Sequence, residues 1–410
     1  MKHSSSNEIK VSLDFGKTPI SVGRLAIKNR QIYFEYDSSF IEFGLNISPF
    51  KLPLQSGVTS FDRHLFEGIA GVFNDSLPDG WGRLLLDRSL RLQDILPDNL
   101  SPLDRLANVG NSAIGALVYQ PDYSEKTADI ELNLDVISAH TQEVINSDSN
   151  DVLQELLVLN GSSAGARPKA MIGVDAERKN IIHGDNDLPE DYEHWLVKFA
   201  NSTDGLDAGA TEYVYAIMAQ DAGVEMSDIH LFPAENGVGY FATKRFDREG
   251  KNRLHTHTAC GLLHSDFRTP SLDYEDLLAL TFALTKDIRE VKKMFRLAVF
   301  NVLSHNRDDH SKNFTFLMDA TAQWKLSPAY DLTFSSGPNG EQSMMVMGEG
   351  KNPTVEHLIK LGATAKLDDS FITQVIDQTK TALNNWKSLA IECGVSKANI
   401  SLIEKRLHLK

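Results

Sequence analysis

Apolar and polar positions follow two different periods along the chain. Near the start, residues 9–13 and 32–36 alternate with period two, which predicts strands with one buried face. Further strand candidates follow at residues 115–119, 170–174, 181–183, 194–200 and 239–243. From Ile288 to Leu303 the apolar residues instead recur every three or four positions, which predicts an amphipathic helix. The chain is therefore β-rich, then mixed, then helical.

Helix signals separate these strands and dominate the C-terminal part. Predicted helices start after Arg83 and at Asp273, and others cover residues 103–109, 151–159, 211–222, 355–361 and 370–392. Gly362 is expected to end the helix before it, because glycine is a frequent C-terminal cap. Residues 122–150 are polar and lack a clear period, so they mark a boundary. The predicted units are residues 1–122, 123–248 and 249–410.

Composition excludes several classes of protein. The 410 residues are enough for two or three domains, and the net charge of −15 argues against a sequence-independent grip on nucleic acid. The polar N-terminus lacks the apolar core of a signal peptide, and the apolar runs are too short to span a bilayer. We therefore expect a cytoplasmic protein with no membrane partner.

Cysteine and histidine usage does not indicate a metal centre. Cys260 and Cys393 lie far apart and form no CxxC pair, which is typical of a reducing compartment. His255, His257 and His264 surround Cys260, but without the spacing of a known ligand set. We therefore expect these residues to be structural.

The most informative segment is His305–Asn313, which reads HNRDDHSKN. Asp308 precedes Asn313 by five residues, the spacing of the catalytic loop of protein kinases. Asp331 follows Asn313 by eighteen residues, beyond a predicted strand at 314–318. These three residues match a base and two metal ligands for phosphoryl transfer from ATP and Mg²⁺. Taken alone, the segment fits a solvated turn equally well.

Neighbouring residues leave alternatives open in this loop. Asp309 competes with Asp308 for the role of base, and the spacing to Asn313 favours Asp308. His310 fits a general base or a phosphate contact, although a histidine in such a loop more often stabilises it by hydrogen bonding. Lys312 adds a cation where a transferred phosphate would pass.

Two further features fit a nucleotide site. Gly161–Lys169 is a Gly- and Ser-rich loop that permits close approach of backbone N–H groups to phosphates, yet taken alone it is better explained as an ordinary turn. Lys198 interrupts an apolar strand and matches the strand lysine of kinases, or else an exposed edge residue. Glu212 could pair with Lys198, but a favourable charge in the first turn of a helix is the simpler interpretation. The order of these features along the chain is that of a kinase.

These residues give the chain a resemblance to the HipA family of serine/threonine kinases, the toxins of bacterial toxin–antitoxin modules. The matching segments are LPDGWGR (77–83), RLANVGNSAIGAL (105–117), SSAGARPK (162–169), HWLVKF (194–199), KRFDR (244–248), NRDDHSKNF (306–314) and SPAYDL (327–332). The resemblance implies an α+β, bilobal kinase-like fold with an extra β-rich N-terminal subdomain and an all-α C-terminal lobe.

The resemblance also implies roles for individual residues. Asp308 would be catalytic, Asn313 and Asp331 would hold Mg²⁺, and Ser162 or Ser163 would be autophosphorylated. ATP would be bound by Ala164, Gly165, Ala166, Arg167, Pro168, Lys169, Lys198, Lys244, Arg245, Phe246, His310, Ser311, Lys312, Asn313, Tyr330 and Asp331. Two departures from the family pattern concern nucleotide affinity and movement of the loop: Lys244 stands where an acidic residue is frequent, and Arg167-Pro168 replaces a polar–acidic pair.

The family implies a protein substrate from translation, such as an aminoacyl-tRNA synthetase, and a small DNA-binding antitoxin of the HipB type. DNA would then be contacted only through the antitoxin. Two alternatives remain at this stage: a regulatory protein that binds nucleotide but acts through an antitoxin-like partner, and a kinase of small molecules.

Overall fold

The computed structural model describes residues 6–124, 131–146, 152–161, 165–184, 187–201, 204–269 and 271–407. Their apolar side chains form three separate cores. We refer to residues 6–124 as the N-terminal module. The other two cores belong to a central sheet and to the helices of the C-terminal part.

The N-terminal module is built on an antiparallel sheet with the strand order β4-β3-β2-β1-β5. The strands are β1 Glu8–Leu13, β2 Ile20–Lys28, β3 Gln31–Tyr36, β4 Val58–Ser60 and β5 Leu117–Gln120. The predicted alternation holds in β1, where Ile9, Val11 and Leu13 are buried on one face. Four helices accompany the sheet: α1 Ser38–Phe43, α2 Gly71–Asn74, α3 Gly80–Arg91 and α4 Pro102–Val109.

A second five-stranded sheet lies in the predicted N-lobe, in the order β7-β6-β8-β10-β9. Its strands are β6 Lys169–Asp175, β7 Ile181–His183, β8 Tyr192–Lys198, β9 Ile229–Phe232 and β10 Tyr240–Lys244. The helices α5 Leu134–Asn146 and α6 Leu153–Asn160 belong to its core. Helix α7, Ala208–Asp221, instead packs among the C-terminal helices.

The C-terminal lobe is mainly helical but not entirely so. Its helices are α8 Ala259–Leu263, α9 Tyr274–Thr285, α10 Ile288–Leu303, α11 Val355–Thr364, α12 Asp369–Leu383, α13 Trp386–Glu392 and α14 Lys397–Glu404. The strands β11 Arg248–Glu249 and β12 Asn252–Arg253 form a hairpin, and β13 His255–Thr258, β14 Thr315–Met318 and β15 Trp324–Leu326 form a sheet. The all-α description of this lobe is therefore corrected, since the sequence predicted only the strand at 314–318.

Several predicted boundaries differ from the observed ones for physical reasons. Helix α11 continues past Gly362 to Thr364, so this glycine does not end it. A Cβ at position 362 would lie 2.6 Å from Ile372 and 3.1 Å from Phe295. The glycine instead allows α11 to pack closely against its neighbours. Helix α5 lies inside the segment 122–150, which was predicted to be a loop. Its buried side consists of Leu134, Ile137, Thr141 and Val144, and the polar Thr141 weakens the apolar pattern. The single predicted helix at 370–392 is two helices, and α14 was not predicted.

Buried polar contacts join the N-terminal module to the C-terminal lobe. His257 Nδ1 lies 2.6 Å from Asp75 Oδ2, and its Nε2 lies 2.9 Å from Ser48 Oγ. Asp75 also accepts hydrogen bonds from the N–H and hydroxyl of Thr258, both at 2.8 Å. His257 is fully buried, as is His255. Within the described ranges no cluster of three or more His, Cys, Asp or Glu residues could hold a metal ion.

No helix in the described part of the chain is both long and apolar enough to cross a membrane. Cys260 and Cys393 are free thiols, and burial raises the pKa of Cys260 to about 12. The buried thiol therefore stays protonated and behaves as a small apolar side chain.

Asp247 joins the N-lobe to the N-terminal module by a buried charge network. Its carboxylate accepts hydrogen bonds from Arg245 and Arg248 and from the backbone N–H of Gly115, which lies 2.8 Å away. Burial alone would raise the pKa of Asp247, but the two arginines hold it far below its ordinary value.

Replacing Asp247 by Asn should lower the free energy of unfolding by about 3–5 kcal/mol, because it leaves buried guanidinium groups without their counter-charge. The lowered pKa means that the wild-type advantage is complete near pH 7 and is lost as the pH falls below about 3.9. Urea unfolding at several pH values measures this, with exposed Asp191→Asn as the control. Equal stability of Asp247→Asn and wild type at pH 7 would contradict the assignment.

Candidate functional site

The loop after α10 separates two adjacent aspartates into different environments. The Asp308 side chain is 57% exposed in the cleft between the lobes, whereas Asp309 is 1% exposed. Asp309 accepts hydrogen bonds from Tyr274 Oη at 2.7 Å and from the backbone N–H groups of Ser343 and Met344. Burial raises the pKa of Asp309 to about 7. Asp309 therefore supports the loop, and Asp308 is the carboxylate that a substrate can reach.

Asp308 is connected to the candidate metal ligand Asn313. The Asn313 side-chain NH₂ donates a hydrogen bond to the Asp308 backbone carbonyl at 2.8 Å. This contact leaves the amide oxygen of Asn313 as the atom that can bind a cation. His310 Nε2 lies 3.9 Å from Asp308 Oδ1, and its ring packs 5.2 Å from the Phe267 ring. Partial desolvation within the cleft, together with the nearby Asp331 carboxylate, raises the pKa of Asp308 above its ordinary value.

Lys198, at the end of β8, lies at the centre of the cleft. Its ammonium group donates hydrogen bonds to Glu212 of α7 and, at 2.6 Å, to Asp331 Oδ1. Burial alone would lower the pKa of Lys198, but the two carboxylates raise it. Glu212 is 2% exposed and lies beyond the first turn of its helix, so the pair with Lys198 replaces the simpler interpretation given above.

Asp331 approaches Lys198 from the C-terminal lobe. Its φ of 58° is in the left-handed region, which aspartate tolerates better than most residues. The preceding residue, Tyr330, donates a hydrogen bond to the Lys312 carbonyl at 2.6 Å and thereby joins this segment to the candidate catalytic loop at 305–313. Burial alone would raise the pKa of Asp331, but Lys198 and Lys169 lower it far below its ordinary value. Asp331 therefore remains ionised.

Two cations at the start of β6 complete the cluster. Lys169 pairs in register with Lys198 across the β6–β8 ladder, and burial lowers its pKa to about 8. Arg167 contacts Glu212 Oε2 at 3.3 Å and Asp204 Oδ2 at 3.3 Å. The departure at position 167 thus places a third cation beside Glu212. Pro168 forms part of the same edge, since its carbonyl accepts from the Phe199 N–H at 2.9 Å.

The predicted hinge residues lie where β10 leaves the N-lobe. The Lys244 ammonium group is 2.7 Å from Glu193 Oε1, and the Arg245 backbone N–H donates to the His194 carbonyl at 2.9 Å. The Phe246 ring lies 5.5 Å from the Tyr330 ring. Lys244 is thus paired with a carboxylate on the neighbouring strand, and the Arg245 side chain donates a hydrogen bond to Asp247.

The remaining predicted residues lie in different surroundings, and some lie outside the described part of the chain. Ser311 is buried, and Lys312 forms an ion pair with Asp79 of the N-terminal module. Gly165 and Ala166 contact the same module at Gly80. Ser162, Ser163 and Ala164 lie outside the described residues. Sequence reasoning did not identify Asp79 or Asp204 as site residues, and for Asp79 the available signal was its position in the LPDGWGR segment.

The cleft contains the atoms that ATP and Mg²⁺ require. A carboxylate and an amide oxygen, from Asp331 and Asn313, are the hard oxygen ligands that Mg²⁺ takes together with substrate phosphates. Lys169 and Lys198 supply positive charge for phosphate groups next to these ligands. The residues present therefore fit both molecules.

Comparisons with known proteins point to one family. The model described as a HipA-like C-terminal domain matches residues 161–386, and the model described as a HipA N-terminal domain matches residues 17–120. These two matches confirm the predicted resemblance over most of the chain.

Solved structures show the same fold. A chain in the Shewanella oneidensis MR-1 toxin–antitoxin complex of HipA, HipB and operator DNA is similar with a TM-score of 0.71, at 16% identity, and the match covers 97% of this chain and 96% of that chain. The predicted fold class is thereby confirmed apart from the sheet in the C-terminal lobe. The Helicobacter pylori proinflammatory kinase CtkA matches 52% of this chain and 92% of its own at 15% identity, with a TM-score of 0.34 that supports no conclusion.

The different environments of the two aspartates predict different effects of substitution. Asp309→Ala should lower the free energy of unfolding by about 3 kcal/mol, because several buried donors lose their acceptor. Asp308→Ala should change it by less than about 0.5 kcal/mol, as expected at a solvated position. Chemical denaturation of the two variants beside wild type tests this. A larger loss for Asp308→Ala would show that the two roles are reversed.

Proposed function

We propose, from the premise that this chain belongs to the HipA family, that it is a kinase of the HipA toxin type. In this proposal it transfers the γ-phosphate of ATP to a serine or threonine of a protein. The observation that carries the proposal is the contact of Lys198 with Glu212 and Asp331 in the cleft where Asp308 is exposed. A protein that only binds nucleotide has no need of an exposed carboxylate at the kinase spacing from its metal ligands.

The positive charges in the cleft would bind the phosphates. Lys198 is held by Glu212 at a defined position, so its ammonium group loses little freedom when phosphate oxygens arrive. Lys169 lies next to it, and the backbone of residues 165–168 would approach the phosphates from the other side. Both lysines would stabilise the charge that spreads over the transferred group.

Asn313 and Asp331 would hold Mg²⁺. When bound, Mg²⁺ neutralises phosphate charge and orients the γ-phosphate. Asp331 is suited to this because its lowered pKa keeps the carboxylate ionised. Its 2.6 Å contact with Lys198 would be exchanged for contacts with the metal and the phosphates.

Asp308 would act on the attacking hydroxyl group. As the hydroxyl oxygen bonds to the γ-phosphorus, the bond to the ADP oxygen breaks and the hydroxyl proton passes to Asp308. The exposure of this carboxylate allows a protein side chain to reach it, and its raised pKa improves it as a proton acceptor. The adenine ring would lie against the segment Lys244–Phe246.

Partners and substrates are part of the same proposal. The Shewanella HipA structure is a complex with HipB and operator DNA, so we propose a HipB-type antitoxin for this chain and contact with DNA only through it. The proposed substrate is a cytoplasmic protein of translation, such as an aminoacyl-tRNA synthetase, which would place this chain in the cytoplasm as well. Ser162 or Ser163 is the proposed site of autophosphorylation.

Incubation with Mg²⁺ and γ-labelled ATP tests the activity. We expect wild type to label itself or an added synthetase, and Asp308→Asn to lose at least about 10³-fold in rate, since it removes the proton acceptor. Asp191→Asn, an exposed change outside the site, should behave as wild type.

Mass spectrometry then locates the label. Phosphate on Ser162 or Ser163 in wild type alone would support autophosphorylation of the Gly-rich loop. Equal labelling by wild type and Asp308→Asn would contradict the catalytic role of Asp308. Binding of ATP without any transfer would favour the regulatory alternative.

The pKa of Lys169 predicts how nucleotide affinity depends on pH. With a pKa of about 8, Lys169 is charged at pH 7 and largely neutral at pH 9. Affinity for Mg·ATP should therefore fall about tenfold between these pH values, because the neutral amine does not attract phosphate. Calorimetric titration measures this. Lys169→Arg, which stays charged, should bind Mg·ATP with the same affinity at both pH values. If its affinity instead fell as much as that of wild type, Lys169 would be excluded as the cause.

A further inference from the structure

Asp79 is a residue of the N-terminal module that contacts the candidate active site. It precedes α3 at the N-cap position, where an aspartate ordinarily accepts a hydrogen bond from its own helix. The Asp79 side chain makes no such bond. Its two oxygens instead contact two separate loops of the kinase-like body.

The first contact is with the Gly-rich loop. Asp79 Oδ1 accepts a hydrogen bond from the backbone N–H of Gly165, and the backbone N–H of Trp81 donates to the Gly165 carbonyl at 3.0 Å. Both backbone polar groups of Gly165 are therefore held by the start of α3. The arrangement also gives the unbonded N–H at this helix terminus an acceptor.

The second contact is with the catalytic loop. Asp79 Oδ2 accepts a charged hydrogen bond from Lys312, which lies between Ser311 and the candidate metal ligand Asn313. The pair is largely removed from solvent, with 10% of the Lys312 side chain and 15% of the Asp79 side chain exposed. The Lys312 ammonium group also lies 4.8 Å from the centre of the Phe267 ring. Such an enclosed ion pair is weakly screened by salt.

Close approach of the backbones makes the contact specific. Gly80 has φ +46°, and a Cβ there would lie 2.5 Å from the Gly165 carbonyl oxygen and 2.8 Å from Ala166 Cα. A side chain at position 80 would force the two segments apart. Trp81 anchors the same turn, because its ring is buried in the core of the N-lobe.

The charge state of Asp79 is matched to this position. Burial alone would raise the pKa of Asp79, but Lys312, the Gly165 N–H and Lys169 lower it below its ordinary value. The carboxylate thus stays ionised at neutral pH and keeps both contacts.

From these contacts we infer that Asp79 is a positioning residue of the kinase site, by which the N-terminal module fixes the Gly-rich loop relative to the catalytic loop. The inference rests on the proposed function, since the two loops are those that would enclose the phosphates and carry Asp308. Asp79 itself touches neither ATP nor the reacting hydroxyl in this account. Its effect passes through Gly165 and Lys312.

Hydrogen–deuterium exchange and Mg·ATP titration of Asp79→Ala test this inference. We expect the amides of residues 165 and 166 to exchange at least about tenfold faster, and the dissociation constant for Mg·ATP to rise about tenfold or more, the size of effect seen when a supporting partner of a site is removed. Asp79→Asn keeps an oxygen for the Gly165 N–H but loses the charge that attracts Lys312. It should show an intermediate increase, mainly in KM for ATP rather than in kcat, and serves as the second variant if Asp79→Ala folds poorly.

Two controls separate positioning from general destabilisation. Asp94→Asn changes an exposed aspartate just after α3 and should match wild type in both measurements. Leu25→Ala opens a cavity in the core of the N-terminal module, away from Asp79, and should lower the melting temperature without changing exchange at Gly165.

The outcomes distinguish this inference from the proposed function. Unchanged exchange at Gly165 and unchanged Mg·ATP affinity in Asp79→Ala would overturn the inference, while wild-type transfer of phosphate would leave the kinase proposal standing. Tighter Mg·ATP binding in Asp79→Ala would also overturn it, because the contact would then hold the site closed. If wild type bound no Mg·ATP and transferred no phosphate, the kinase proposal would fail whatever the exchange at Gly165.

Discussion

The Lys198 ammonium group, shared between Glu212 and Asp331, is the interaction on which the candidate site depends. Desolvation of three charges is costly, and it is offset only when the geometry and the hydrogen bonds are good. Here a strand of the N-lobe, helix α7 and a C-terminal segment each contribute one charge, so the contact exists only if all three are packed correctly. Lys169 and Arg167 add two more cations around the same carboxylates. With Asp204 also paired to Arg167, three cations face three carboxylates, so the charges of the cluster are close to balanced.

The N-terminal module contributes to this arrangement through buried polar contacts. Asp75 is joined to His257 and Thr258 of the C-terminal lobe, and Gly115 to Asp247 of the N-lobe. Both contacts are shielded from water, where an unpaired partner would be costly. The module is thus fastened to each lobe separately. Asp79 extends the same pattern into the cleft, where it meets one loop from each lobe.

Local sequence signals predicted the parts of this site that depend on spacing within one segment. Asp308, Asn313 and Asp331 were predicted because their separations are set by one loop and one strand, and Lys198 because a charge inside an apolar strand is conspicuous. The pair of Glu212 with Lys198 was considered but not favoured, because an acidic residue early in a helix has a simpler local explanation. Asp79 was not predicted as a partner, since its contact with Lys312 joins residues far apart in the chain. The same holds for Gly362, which looks like a helix end until α12 is placed beside it. Helix α5 was missed because a polar residue, Thr141, takes one position of its buried stripe, which otherwise consists of Leu134, Ile137 and Val144.

The most direct test of this account is the affinity of Glu212→Gln for Mg·ATP. The variant keeps the shape of the side chain but removes the charge that shares the Lys198 ammonium group with Asp331. We expect Lys198 and Asp331 then to pair more tightly with each other and the dissociation constant for Mg·ATP to rise about tenfold or more. The melting temperature should fall as well, because Glu212 is the buried partner of both Lys198 and Arg167, so binding is measured well below it. Affinity equal to that of wild type would show that the ion cluster around Lys198 does not organise the nucleotide site.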